Sequence, residues 1–168
     1  IVIPMAGLGS RFVKKGYEKP KPFIDVNGKP MIVRVLENLS YPNAKYILIA
    51  RKEHLEAEKE LVNSISLEYN VKFISIDKLT QGTACTVLFS REDINNSTPL
   101  VVANSDQIVD IDFREYVDNC LSRKLDGSIL TFKDVTKNPK WSFARINEKG
   151  FVVEVKETQF PLQLWIVF

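Results

Sequence analysis

The chain has 168 residues, 45% hydrophobic and 26% charged, which suits one folded domain with a sizeable core and excludes a disordered chain. Its net charge of +2 is too small to point to nucleic acid or an anionic membrane as a partner. No apolar run is long enough to span a bilayer, and a cytoplasmic location is the expectation.

Taken in order, Ile1 to Met5 is predicted as a parallel strand buried on both faces. Residues 6 to 22 follow as a loop with two closely spaced glycines, Gly7 and Gly9, and with Arg11, Lys14, Lys15, Lys19 and Lys21. Glycine permits positive φ and close backbone approach, so a strand running into this loop offers backbone amides to an anion. A dinucleotide fingerprint would need a third glycine where Phe12 stands, and no Gly-Lys-Ser/Thr triplet makes a Walker loop. Phe23 to Val26 reads as a short strand, Asn27-Gly28 as a turn, and Pro30 as the start of a helix. That helix carries Met31, Ile32, Val35, Leu36 and Leu39 at helical spacing.

Tyr46 to Ala50 is the next expected strand, and Lys52 to Leu67 an amphipathic helix with Leu55, Leu61, Val62 and Ile65 on its apolar side. His54, the one histidine, falls on its charged face and is expected in solvent. Val71 to Ile76 reads as a strand, and Ala84 to Arg91 as helical, weakened by Thr86 and Val87. Pro99 to Ala103 is a further strand ending at Asn104-Ser105-Asp106, and Asp112 caps a helix through Leu121. Gly127 to Val135, Ser142 to Ile146 and Phe151 to Val155 read as strands joined by short turns.

Strand and helix alternate to about residue 123, which predicts an α/β fold with a Rossmann-like, mainly parallel mixed sheet and helices on both faces. The later strands read as antiparallel and are expected at its edge. Ligands bind such sheets at the carboxyl ends of the strands, where each polar motif here falls. Cys85 and Cys120 lack metal-ligand spacing and are expected as buried, reduced thiols. Without another histidine, no Ser-His-Asp or Cys-His hydrolase arrangement is indicated.

The block Ala6-Gly7-Leu8-Gly9-Ser10-Arg11-Phe12, with Pro20-Lys21-Pro22, resembles the N-terminal signature of the bacterial-type sugar-1-phosphate nucleotidylyltransferases. The resemblance implies an enzyme that transfers NMP from an NTP to a sugar 1-phosphate, releasing pyrophosphate and forming an NDP-sugar, as in bacterial polysaccharide synthesis. It implies that Ala6 to Arg11 bind the triphosphate and that Arg11 and Lys21 neutralise charge on the transferring group. Gln81, Gly82 and Thr83, followed by Ala84, resemble the family's stretch against base and ribose; a plain helix-start turn is the alternative. Asp106 takes the place of the family's Mg2+ ligand, with Ser105 where glycine is commoner, and a turn cap is again the alternative. Ala144 and Glu157 fall where the family holds its acceptor, but Thr158 stands where a lysine is usual. No match to the family's second metal carboxylate is found.

The implied partners are a nucleoside triphosphate and a phosphorylated small molecule. Two other readings stay open: a cytidylyltransferase-type enzyme activating a non-sugar phosphate, and a nucleotide-binding module without turnover. The chain starts inside a strand without Met, and residues 160 to 168 are apolar with no polar ending. The expectation is a single domain over 1–168 that is truncated, or interrupted near residues 158 to 165. Its apolar tail could equally form an interface in a homo-oligomer.

Overall fold

A computed structural model of the chain describes residues 1–133, 142–156 and 165–167. The chain folds as two compact units, Ile1–Val117 and Asp118–Phe168.

The first unit is built on a parallel sheet whose named strands are β1 (Val2–Pro4), β4 (Tyr46–Arg51) and β5 (Val71–Ile76), in the order β1-β4-β5. β1 pairs with β4 through Val2↔Ile47 and Ile3↔Leu48, and β4 with β5 from Tyr46↔Val71 to Arg51↔Ile76. On the other edge of β1 the stretch 101–103 adds a parallel bridge, Val2↔Val102. There the Val2 amide donates to the Val101 carbonyl at 2.8 Å and the Ala103 amide to the Val2 carbonyl at 3.0 Å. The chain thus moves outward from β1 to β4 and β5, then returns to the opposite side of β1. This reversal makes a topological switch point at the carboxyl ends of β1 and 101–103, the usual place for a ligand crevice.

Period-two alternation sorts the central strands between two cores. Ile3, Leu48 and Ala50 face one, with Ile32, Val35 and Leu36 of α2 (Met31–Asn38), Ile65 of α4 (Lys59–Glu68) and Phe113 of α7 (Phe113–Ser122). Val2, Ile47, Ile49 and Ile76 face the other, where Val87 of α5 (Thr83–Val87) and Ile94 of α6 (Arg91–Ile94) pack. Helices therefore cover both faces, as the alternation of elements predicted. β4, Tyr-Ile-Leu-Ile-Ala-Arg, is buried through its first five residues because it has a neighbour on each side.

Several local expectations change. The strand expected from Phe23 begins later. Lys21–Phe23 is a 3-10 turn closed by the Phe23 amide on the Pro20 carbonyl, because the two prolines favour a turn. β2 (Asp25–Val26) and β3 (Lys29–Pro30) then form a hairpin whose corner, Asn27-Gly28, has φ of 52° and 84°. The helix expected over Lys52 to Leu67 is two, α3 (Lys52–Ala57) and α4, broken at Glu58 (φ −118°, ψ 35°). Ala84 to Arg91 is divided into α5, a 3-10 turn over Leu88–Ser90, and the start of α6. Cys85 is exposed rather than buried, since α5 turns Thr86 and Val87 inward; Cys120 is half-buried, and both are free thiols.

In the second unit, β6 (Thr131–Lys133), β7 (Phe143–Ile146), β8 (Val152–Lys156) and β9 (Trp165–Val167) form an antiparallel sheet in the order β6-β9-β7-β8. The antiparallel character matches the short turns read from the sequence. The sequence predicts no strand at β9, because nothing local distinguishes an apolar end from a strand that pairs with distant partners.

Candidate active site

Every well-matched motif of the sequence lies in the first unit, each after the carboxyl end of a parallel segment. After β1 the chain enters the glycine loop and turns once as α1 (Ser10–Val13). Gly9 is the pivot, with φ 59° and ψ 23°, a left-handed conformation that costs a non-glycine residue about 1–2 kcal/mol. Its carbonyl accepts the amides of Phe12 at 2.8 Å and Val13 at 3.3 Å. The amides of Gly7 through Arg11 donate to no described residue, so five consecutive N–H groups remain available along the loop. Arg11 is exposed and holds no hydrogen bond or ion pair with a described residue.

Lys21 returns the chain to the loop. A Cβ placed on Gly9 would lie 3.3 Å from the Lys21 Cβ, so the loop closes against the lysine's stem. The Lys21 Nζ stands 5.3 Å from the Phe12 ring centroid and donates to Asp106 Oδ2. Asp106 follows the stretch 101–103, on the strand position adjacent to β1. Lysine and aspartate, 85 residues apart, thus meet at the switch point, with side chains 28% and 38% exposed. Asp106 keeps its second carboxylate oxygen clear of described donors. Ser105 beside it is half-buried.

Gln81, Gly82 and Thr83 are exposed at the start of α5, the helix that packs against β1. Gly82 has φ 155°, and its carbonyl accepts from the Thr86 amide at 3.1 Å and the Thr86 hydroxyl at 3.2 Å. Thr86 is 5% exposed and its hydroxyl lies 2.6 Å from that of Thr80, which also reaches the Gly82 carbonyl. Two threonine hydroxyls therefore fix the turn that presents Gln81.

A pocket of about 240 Å³ opens beside the glycine loop, lined by loop residues including Gly9, Phe12 and Lys21 and by Glu53, His54 and Ala57 of α3. The charged helix face predicts His54 in solvent, and the structure corrects this: its side chain is only 14% exposed and lines the same pocket as the loop. Its Nδ1 is buried without a hydrogen-bond partner among the described residues. Burial lowers the imidazole pKa from its usual value; Glu53 opposes and Arg51 reinforces that shift. Lys19 pairs with Glu58 at 3.6 Å, linking the loop to the break between α3 and α4. The α3 residues were missed in the sequence, although their place directly after the carboxyl end of β4 was the available signal.

Ala144 is fully buried in β7 of the second unit. Glu157 and Thr158 lie outside the described residues. Among the described residues no group of three or more His, Cys, Asp or Glu side chains could hold a metal ion. The chemistry of Asp106 nevertheless fits magnesium, which needs only one or two carboxylates when phosphate oxygens supply the rest.

Fold and site together define an α/β protein with a glycine loop of free amides, a lysine and a carboxylate at one switch point. The chain belongs to the nucleotidyl transferase family, whose profile matches residues 1–158. It is 30% identical over 141 residues to the mannose-1-phosphate guanylyltransferase catalytic subunit beta of Xenopus tropicalis, covering 79% of this chain and 37% of that protein. It is 26% identical over 164 residues to the D-glycero-alpha-D-manno-heptose 1-phosphate guanylyltransferase of Campylobacter jejuni, covering 96% of this chain and 70% of that one. The chain thus spans little more than a third of the length of the mannose-1-phosphate enzyme. The fold is that of a nucleoside-diphosphate-sugar pyrophosphorylase from Vibrio cholerae, with a TM-score of 0.74 at 21% identity over 99% of this chain and 70% of that structure.

Proposed function

We propose that the chain carries the nucleotide-binding and nucleotidyl-transfer part of an enzyme that joins an NTP and a sugar 1-phosphate into an NDP-sugar. The observation that carries this reading is the meeting of Lys21 and Asp106 beside the glycine loop at the switch point. The names of the relatives support the sugar 1-phosphate as acceptor, and make GTP the first donor to test.

In the reaction, a phosphate oxygen of the sugar 1-phosphate attacks the α-phosphorus of the NTP. The bond from that phosphorus to the bridging oxygen breaks, and pyrophosphate leaves with the electron pair. The nucleophile is already anionic, so no general base or covalent enzyme intermediate is required. Catalysis rests on in-line positioning and on charge placed where it develops in the transition state. The amides of Gly7 to Arg11 hold the triphosphate oxygens, and Arg11 holds the departing pyrophosphate. Lys21 leaves Asp106 to bridge the α-phosphate and the incoming phosphate. Gln81, Gly82 and Thr83 lie along base and ribose, with Ser105 nearby. Asp106 would hold Mg2+, which when bound supplies charge neutralisation on the phosphates.

The test is pyrophosphate release by the wild-type protein and Lys21→Ala across the four NTPs with several sugar 1-phosphates and Mg2+. The half-exposed ion pair contributes at most about 1 kcal/mol of stability, so the variant keeps its fold. Loss of the ammonium is expected to lower kcat roughly 10²–10³-fold, the range for one preorganised donor. Near-normal turnover in the variant would overturn the assignment. Tight NTP binding by a wild-type protein that releases no pyrophosphate with any acceptor would also do so.

A further inference from the structure

The stretch 104–111, which carries Asp106, contains no helix or strand and lies between the β1 bridge and α7. Among the described residues only two side chains tie it to the rest of the unit by hydrogen bonds. One is Lys21, on Asp106 itself. The other is Asn38, the last residue of α2, 71 positions before its partner. The Asn38 Nδ2 donates to the Val109 carbonyl at 2.9 Å, and its Oδ1 accepts the Val109 amide at 2.9 Å. One side-chain amide thus satisfies both backbone groups of one residue, as a neighbouring strand would. Both bonds are partly buried, and α2 is anchored by four residues of the core, Ile32, Val33, Val35 and Leu36. Within the loop, the Asn104 Nδ2 donates to Gln107 Oε1 at 2.6 Å, stiffening the turn around Asp106.

We propose that Asn38 is a positioning residue for nucleotidyl transfer: by gripping Val109 it sets where Asp106 presents its carboxylate. This rests on the reading of Asp106 as the Mg2+ ligand. Lys21 must release Asp106 when phosphate binds, which removes one of the two ties just when the carboxylate has to be held in place. The Asn38 grip touches neither ligand nor lysine and persists through that exchange.

The experiment compares wild type, Asn38→Ala, Asn38→Asp, Asp106→Ala and the double variant Asn38→Ala/Asp106→Ala. Asn38→Asp keeps the acceptor for the Val109 amide but sets a carboxylate oxygen against its carbonyl; it provides a second cut should the alanine variant fold poorly. Amide hydrogen exchange reads the grip directly. Asn38→Ala is expected to lose at least tenfold protection at Val109, and Asn38→Asp, which keeps an acceptor for that amide but repels its carbonyl, a smaller share of it, with β1 and β4 unchanged in both. The Mg2+ concentration giving half-maximal pyrophosphate release should rise roughly 10–100-fold, the range for losing a residue that orients a metal ligand. Because Asn38 acts through Asp106, the double variant should be no worse than Asp106→Ala alone. Unchanged protection at Val109, or single effects that multiply in the double variant, would overturn the positioning role. An Asp106→Ala protein with normal Mg2+ dependence would instead overturn the metal reading, and with it the functional half of this proposal.

Discussion

The two glycines of the loop look interchangeable in the sequence and are not so in the structure. Gly9 has φ 59°, whereas Gly7 does not have positive φ. A Cβ on Gly9 would stand 3.3 Å from the Lys21 Cβ, tighter than ordinary van der Waals contact, whereas a Cβ on Gly7 would meet nothing within 4 Å. Gly9→Ala therefore carries a left-handed backbone penalty of about 1–2 kcal/mol. It also pushes on a part of Lys21 that cannot swing aside, because the Cβ is fixed to the backbone. The expected outcome is a loss of about 1–2 kcal/mol in urea unfolding, together with at least a tenfold fall in kcat. Gly9→Asn separates the two causes. Asparagine tolerates the left-handed region, so stability should largely recover, but its Cβ still meets Lys21 and turnover should stay low. Gly7→Ala should unfold within about 0.5 kcal/mol of wild type. If Gly7 leaves room for phosphate, as the cradle requires, that variant should lose NTP affinity while remaining stable. A Gly9→Ala protein as stable and active as the parent would refute the account of the loop.

Thr86→Val removes the hydroxyl that links Thr80 and the Gly82 carbonyl in a buried position. It should cost about 1 kcal/mol in chemical denaturation. It should also raise the KM for NTP more than it lowers kcat, since only the turn presenting Gln81 loosens; equal KM values would count against a role for that turn. His54 predicts a pH dependence. Its folded pKa is held below the unfolded value by burial first, so below about pH 6.5 the unfolded chain takes up the proton before the folded one does. The His54 contribution to stability is thus fully present above that pH and is lost as pH falls through the folded value. Because the chain has one histidine, urea unfolding between pH 7.5 and 5.5 should show this slope, and His54→Gln should flatten it. An unchanged slope in the variant would show that other groups set it.

What the sequence determined alone is whatever short-range chemistry controls. The apolar run at Tyr46 to Ala50, the helical spacing from Ile32 to Leu39, the Asn27-Gly28 corner and the capping aspartate Asp112 all appear where local rules put them. The glycine loop is legible for the same reason, since glycine, arginine and the Lys-Pro step lie within one short stretch. Gln81 and Asp106 stand out in the sequence only through the resemblance. Tertiary structure decided what depends on residues distant in the chain. Lys21 meets Asp106 because 101–103 returns beside β1, and Asn38 meets Val109 because the loop crosses the end of α2. Helical periodicity puts His54 on a charged face without saying what covers it; in the structure it shares a pocket with the loop. Composition and periodicity carry no term for such pairings. Contact between distant segments appears only once the sheet has ordered its strands.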